Sequence, residues 1–144
     1  MDISSFKSIL WQQLGAAIDM LENAMHACSD ELWGDHTQHP QFWYIAYHTL
    51  FFLDFYLTDS VVEFTPPAPF TLSELDPKGM LPERVYTKEE LQTYLEFGPG
   101  KCKTAIESLT DEKTNRRFKY GRIDLSIAEL FLYNLRHVQH HAGQ

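Results

Sequence analysis

Apolar positions recur along this chain at helical spacing in four stretches. From about Ser5 to Cys28, the residues Leu14, Ile18, Leu21, Met25 and Cys28 step by four and three. That rhythm places them on one stripe of an amphipathic helix, with Lys7, Gln13, Asp19 and Glu22 in the polar remainder. Ser29, Asp30, Gly34 and Asp35 break the pattern. A second helix is predicted to begin near His39 and Pro40, because proline suits a first helical turn where its missing N–H is not needed. Tyr44, His48, Phe51 and Phe55 carry its stripe. This helix is apolar on most faces, which predicts the most buried element.

The stretch from about Asp59 to Tyr86 holds Pro66, Pro67, Pro69, Pro77, Gly79 and Pro82, which exclude regular helix. A connection of this length predicts a crossover from one end of a bundle to the other, and it is long enough to cover the mouth of a pocket. Thr87 and Glu90 then form a capping-box pattern. Leu91, Leu95, Gly98, Cys102, Ala105 and Leu109 keep the rhythm, which passes in register through Gly98-Pro99-Gly100. One kinked helix is expected, not two. Thr110 to Asp124 is polar with a basic bias (Lys113, Arg116, Arg117, Lys119, Arg122) and reads as a solvated loop. Ser126 and Glu129 cap a fourth helix whose stripe is Ile127, Leu130, Asn134, His137 and His141. The expectation is an all-α fold: a four-helix bundle with a long crossover connection between helices 2 and 3, one domain over residues 1–144.

Composition narrows the function classes. With 44% hydrophobic and 22% charged residues, the 144-residue chain has the make-up of a globular domain with a core of ordinary size. A net charge of −8 repels phosphate backbones and argues against nucleic-acid binding. Cys28 and Cys102 have no ligand spacing and read as small buried helix residues, which suits a reducing cytoplasm. The N-terminus lacks the basic start and apolar run of a signal peptide. The apolar run from Phe42 to Leu57 is short for a bilayer and contains His48 and Asp54, so no membrane partner is expected.

The candidate chemistry lies on the inward stripes. His48 falls on that of helix 2, and His137 and His141 on that of helix 4. Buried imidazoles need partners for their nitrogens. Residues at i and i+4 stand one turn apart, so His137 and His141 can converge on one point, which His48 completes from the facing helix. Three neutral imidazoles leave a fourth tetrahedral position open, as in catalytic zinc sites. Hydrogen bonding alone would also satisfy such histidines, and His140, three residues after His137, competes with His141 for the ligand role. His36 and His39 lie in the connection before helix 2 and are expected to take no part.

The ending His137-Val138-Gln139-His140-His141-Ala142-Gly143-Gln144 resembles the His-x-x-x-His-x-Gly-Gln signature of the DinB/YfiT-like superfamily. His48, within Phe42-Trp43-Tyr44-Ile45-Ala46-Tyr47-His48, is similar to that family's first metal histidine. The resemblance implies a four-helix bundle with a divalent metal (zinc, nickel or iron) on His48, His137 and His141. Family members usually continue past the Gly-Gln, whereas this sequence stops at Gln144, which bears on how the last turn holds His141.

The activity that the resemblance suggests first is thiol S-transfer. A low-molecular-weight thiol would bind the open metal position, and a small electrophile would sit among Tyr44, Tyr47, Phe51 and Tyr133. The alternatives are hydrolysis by a metal-bound water and a non-catalytic stress protein binding a metal or small ligand. Hydrolysis wants a general base, but the position that supplies one in His-Glu-x-x-His sites is Val138 here. Asn134 and Gln144 are the polar groups placed to orient a ligand, and Asp54 is a weaker candidate partner for a ligand histidine. A homodimer is compatible with the family and with the apolar excess of helix 2.

Overall fold

In the computed structural model, which describes residues 1–144, the first stripe becomes α1 (Ile3–Ala27). Asp2 caps it, its side chain accepting from the Ser5 amide at 2.8 Å. Leu10, Leu14, Ala17, Ile18, Leu21 and Met25 are its buried face. A single helical turn, α2 (Asp30–Trp33), buries Trp33, and α3 (Phe42–Tyr56) follows. Helix α3 starts later than the sequence suggests. Gln41 occupies the N-cap, so Pro40 precedes the helix instead of opening it. Burial on most faces is confirmed, with nine of its fifteen residues buried, Tyr47, Phe51 and Phe55 completely. Each such side chain contributes roughly 2–3 kcal/mol of burial free energy.

Helix α4 (Lys88–Glu107) starts with both halves of the Thr87–Glu90 capping box and runs unbroken through Pro99. Gly98 lets α4 approach α3 closely: a Cβ there would lie 3.2 Å from the Leu53 side chain. Helix α6 (Ile127–Ala142) begins with a second capping box, Ser126 and Glu129. The long helices form a square in which α1 and α3 each pack against α4 and α6. Trp43 and Tyr47 near the start of α3 meet Tyr86 just before α4, while Lys101 toward the end of α4 reaches Asp54 near the end of α3. Helices α3 and α4 therefore run parallel, and the connection between them is the expected crossover.

That crossover is anchored by aromatic side chains. Phe70 stacks on Tyr94 of α4 (centroids 4.5 Å apart, planes 19° apart) and on Tyr47 of α3 (5.7 Å, 23°), and Tyr86 meets its ring at 4.8 Å. Phe64 wedges against Phe51 and Phe55. One 3-10 turn, Ser73–Leu75, is its only regular structure.

The stretch between α4 and α6 is not the plain loop expected. Thr110 caps a short helix, α5 (Asp111–Asn115), and the strands β1 (Arg117–Tyr120) and β2 (Ile123–Ser126) form an antiparallel hairpin. Gly121, at φ +55°, turns the chain between Tyr120 and Ile123, a conformation that favours glycine. Phe118 and Tyr120 pack on Phe55 while Arg117 and Lys119 face outward. The outward-facing basic residues gave this segment its loop-like composition.

Cys28 and Cys102 are buried and free. Burial pushes the Cys102 thiol up to about 12, so it is inert as a nucleophile at neutral pH.

Candidate metal centre

Three histidines from two helices converge beside the bundle core. His48 sits midway along α3 and points at the last two turns of α6, where His137 and His141 stand one above the other. The ring centroids lie 5.1 Å apart for His48 and His137, 5.0 Å for His48 and His141, and 4.5 Å for His137 and His141. One ring nitrogen from each lies within 4.8 Å of the others. The Nε2 atoms of His48 and His137 are 3.2 Å apart.

Burial favours neutral rings at His137 and His141. Burial, and then the neighbouring His141, His48 and His140, push His137 down to about 3. Burial likewise lowers His141, against the opposing hydrogen bond that its ring donates to the Gln144 side-chain oxygen. Lone pairs are therefore present at neutral pH. The end of α6 also carries the negative end of its helix dipole, which favours a cation.

This donor set fits a divalent metal. Two imidazole nitrogens bound at about 2.0–2.1 Å with tetrahedral angles stand roughly 3.4 Å apart, close to the His48–His137 separation. The ring nitrogens that face away are partly engaged. His48 Nδ1 lies 2.8 Å from Glu74 Oε2, and His141 Nδ1 bonds the Gln144 side chain. His137 Nδ1 is buried without a partner, as is Oδ1 of Asn134 one turn earlier.

A sequence profile described as the DinB superfamily matches residues 13–144. The chain belongs to the DinB superfamily. No curated protein and no solved structure matches it. In this DinB chain, the histidines of the signature and His48 are thus the ones the fold brings together, while His140 is exposed, with its ring 5.0 Å from that of His141. His36 contacts only Gln41, 3.4 Å away, in the connection before α3.

The other predicted residues divide. Tyr44 lies at the site, its ring 6.1 Å from His48 and its hydroxyl donating to Glu74 at 2.9 Å. Gln144 is also there, through His141. Tyr47 and Phe51 are not lining residues. Both are fully buried in the core, where Tyr47 packs on Phe70 and Tyr86, and Phe51 on Phe55 and Phe64. Their i+3 spacing from Tyr44 and His48 turns them toward the crossover instead. Tyr133 is one ring removed, 5.4 Å from Tyr56, which itself meets His137 at 6.2 Å. Asn134 is buried and donates to the Leu53 carbonyl at 3.3 Å. Asp54 plays no part: it accepts from Tyr94 at 2.8 Å and pairs with Lys101 on the α4 side.

Two residues at the site escaped the sequence reading. Phe52, four residues after His48, packs on His48 at 4.9 Å and His137 at 5.9 Å. Its i+4 spacing was a usable signal. Glu74 comes from the crossover, where no periodicity marks it.

Proposed function

We propose that this DinB protein holds a divalent metal on His48, His137 and His141 and uses it for S-transfer, joining a low-molecular-weight thiol to a small electrophile. The observation that carries the reading is the cluster itself: three ring nitrogens within 4.8 Å of one another, with burial disfavouring the protonated form of His137 and His141. A metal bound there would supply positive charge that keeps a thiol in its thiolate form at neutral pH.

The surrounding residues favour a thiol over water as the nucleophile. A thiol needs little help to lose its proton, whereas water benefits from a positioned general base. Val138, the residue where such a base would stand, is fully buried against the core. Glu74 is engaged by His48 and Tyr44. His48 is partly open to solvent, its side chain 27% exposed, and Phe52 and Tyr44 give the approach an apolar wall suited to a small electrophile. In the reaction the sulfur forms a bond to the electrophilic carbon, the leaving group departs with its bonding pair, and the thiol proton passes to solvent.

The test is an assay of thiol consumption with a haloaromatic electrophile, using zinc- or nickel-loaded protein. Thiol loss that depends on both metal and protein, and disappears in His137→Ala, supports the reading. Turnover of esters or amides with metal and no thiol would replace it with hydrolysis. Bound metal with neither activity would leave a binding protein.

A further inference from the structure

Glu74 carries a carboxylate into a place where a carboxylate is costly. Its side chain is only 4% exposed, and burial of a charged group is tolerated only with partners. It has two: His48 Nδ1 at 2.8 Å and the Tyr44 hydroxyl at 2.9 Å. The Tyr44 hydroxyl donates to Oε1 of that carboxylate. A carboxylate oxygen accepts, so the 2.8 Å contact with Glu74 places the shared proton on His48 Nδ1.

We infer that Glu74 is the positioning residue of the centre: it holds the His48 ring with Nδ1 protonated and so presents the Nε2 lone pair to His137 and His141. The inference rests on the metal reading of that cluster. Glu74 touches the ring edge opposite Nε2, so it acts through His48 and is not itself a ligand. Such an outer carboxylate fixes the tautomer, orients the ring and raises its basicity toward a metal.

The alternative task for Glu74 is to pin the crossover to α3. The crossover has other anchors for that. Phe70 is clamped between Tyr47 and Tyr94, and the Tyr47 hydroxyl reaches the Thr71 carbonyl at 3.4 Å. The buried aromatic clamp brings the 3-10 turn to α3, and the carboxylate it delivers meets the one ligand histidine that α6 does not supply.

Two measurements on the full chain test this. The first is a zinc titration against a chromophoric chelator for wild type, Glu74→Gln and Phe64→Leu. Glu74→Gln is expected to weaken zinc about 10–100-fold, the usual cost of losing an outer partner. Phe64→Leu, which loosens a crossover anchor on Phe51 and Phe55 but leaves Glu74 on His48, is expected to stay close to wild type. The second is long-range proton–nitrogen NMR of metal-free protein. It should show His48 with its proton on Nδ1 in wild type and a mixture of tautomers in Glu74→Gln. Wild-type zinc affinity in Glu74→Gln, equal weakening in Phe64→Leu, or an Nε2-protonated His48 in wild type would each overturn the inference. If wild type takes up no zinc, the metal reading fails by itself, and the tautomer measurement alone decides whether Glu74 sets the ring.

Discussion

His48 and His137 are 89 residues apart in sequence, and their Nε2 atoms face each other at 3.2 Å across the α3–α6 contact. Two imidazole nitrogens at that distance share one proton or one cation. A half-buried His137 held far below the ordinary histidine range does not readily take a second proton. The contact makes the pair sensitive to substitution on either helix, and His141 adds the third nitrogen from one turn further on.

The choice between His141 and His140 is directly testable. His141 lies within the nitrogen cluster and His140 is exposed beside it. His141→Ala is expected to lose bound metal, while His140→Ala, His36→Ala and His39→Ala retain it. Elemental analysis of the purified variants reads this.

Metal should also stabilise the fold. A ligand that binds only the native state at a free concentration 100 times its dissociation constant adds about 2.7 kcal/mol. The melting temperature is therefore expected to rise with added zinc or nickel, to fall with a chelator, and to show no such response in His137→Ala.

Glu90 governs an acid-sensitive element away from the metal. Its hydrogen-bonded pairing with Arg84, followed by the bonds to Thr87, holds its carboxyl down at about 2. The folded value lies below the unfolded one, so the stabilisation is fully present above about pH 4.5 and is lost as pH falls toward 2. Glu90→Ala is expected to cost about 1 kcal/mol at neutral pH, since the ion pair is solvent-screened and the cap carries most of the effect. Urea unfolding at neutral and strongly acidic pH should show that difference shrinking with acidification.

Phe70 is the hinge between core stability and the site. Phe70→Ala removes a buried ring stacked on two others and is expected to cost about 3–5 kcal/mol. Because Phe70 positions the turn that carries Glu74, the same variant is expected to bind zinc more weakly than wild type. Thermal unfolding and zinc titration on one preparation read both effects.

The bundle and its histidines were legible because both obey helical periodicity. Leu14, Ile18, Leu21 and Met25 of the α1 stripe and Leu91, Leu95 and Cys102 of the α4 stripe are buried, and both capping boxes formed as written, while burial on α3 and α6 extends beyond their stripes to residues such as Tyr47, Phe131 and Val138. His137 and His141 could be paired from spacing alone. The misses have a common physical cause. The hairpin of β1 and β2 is four residues per strand, too short for alternation to stand out against its basic residues. Tyr47 and Phe51 belong to a helix apolar on nearly all faces, where periodicity cannot separate the side facing α6 from the side facing the crossover. Glu74 comes from a segment without periodicity, positioned by the packing of Phe70 and not by its neighbours in sequence.

The central claim is that His48, His137 and His141 bind one divalent metal. The most direct measurement is elemental analysis of wild type and His48→Ala after incubation with zinc or nickel and removal of free ion. The account predicts near-stoichiometric metal in wild type and its loss in His48→Ala. A wild type that holds no metal, or a His48→Ala variant that holds as much as wild type, would contradict it.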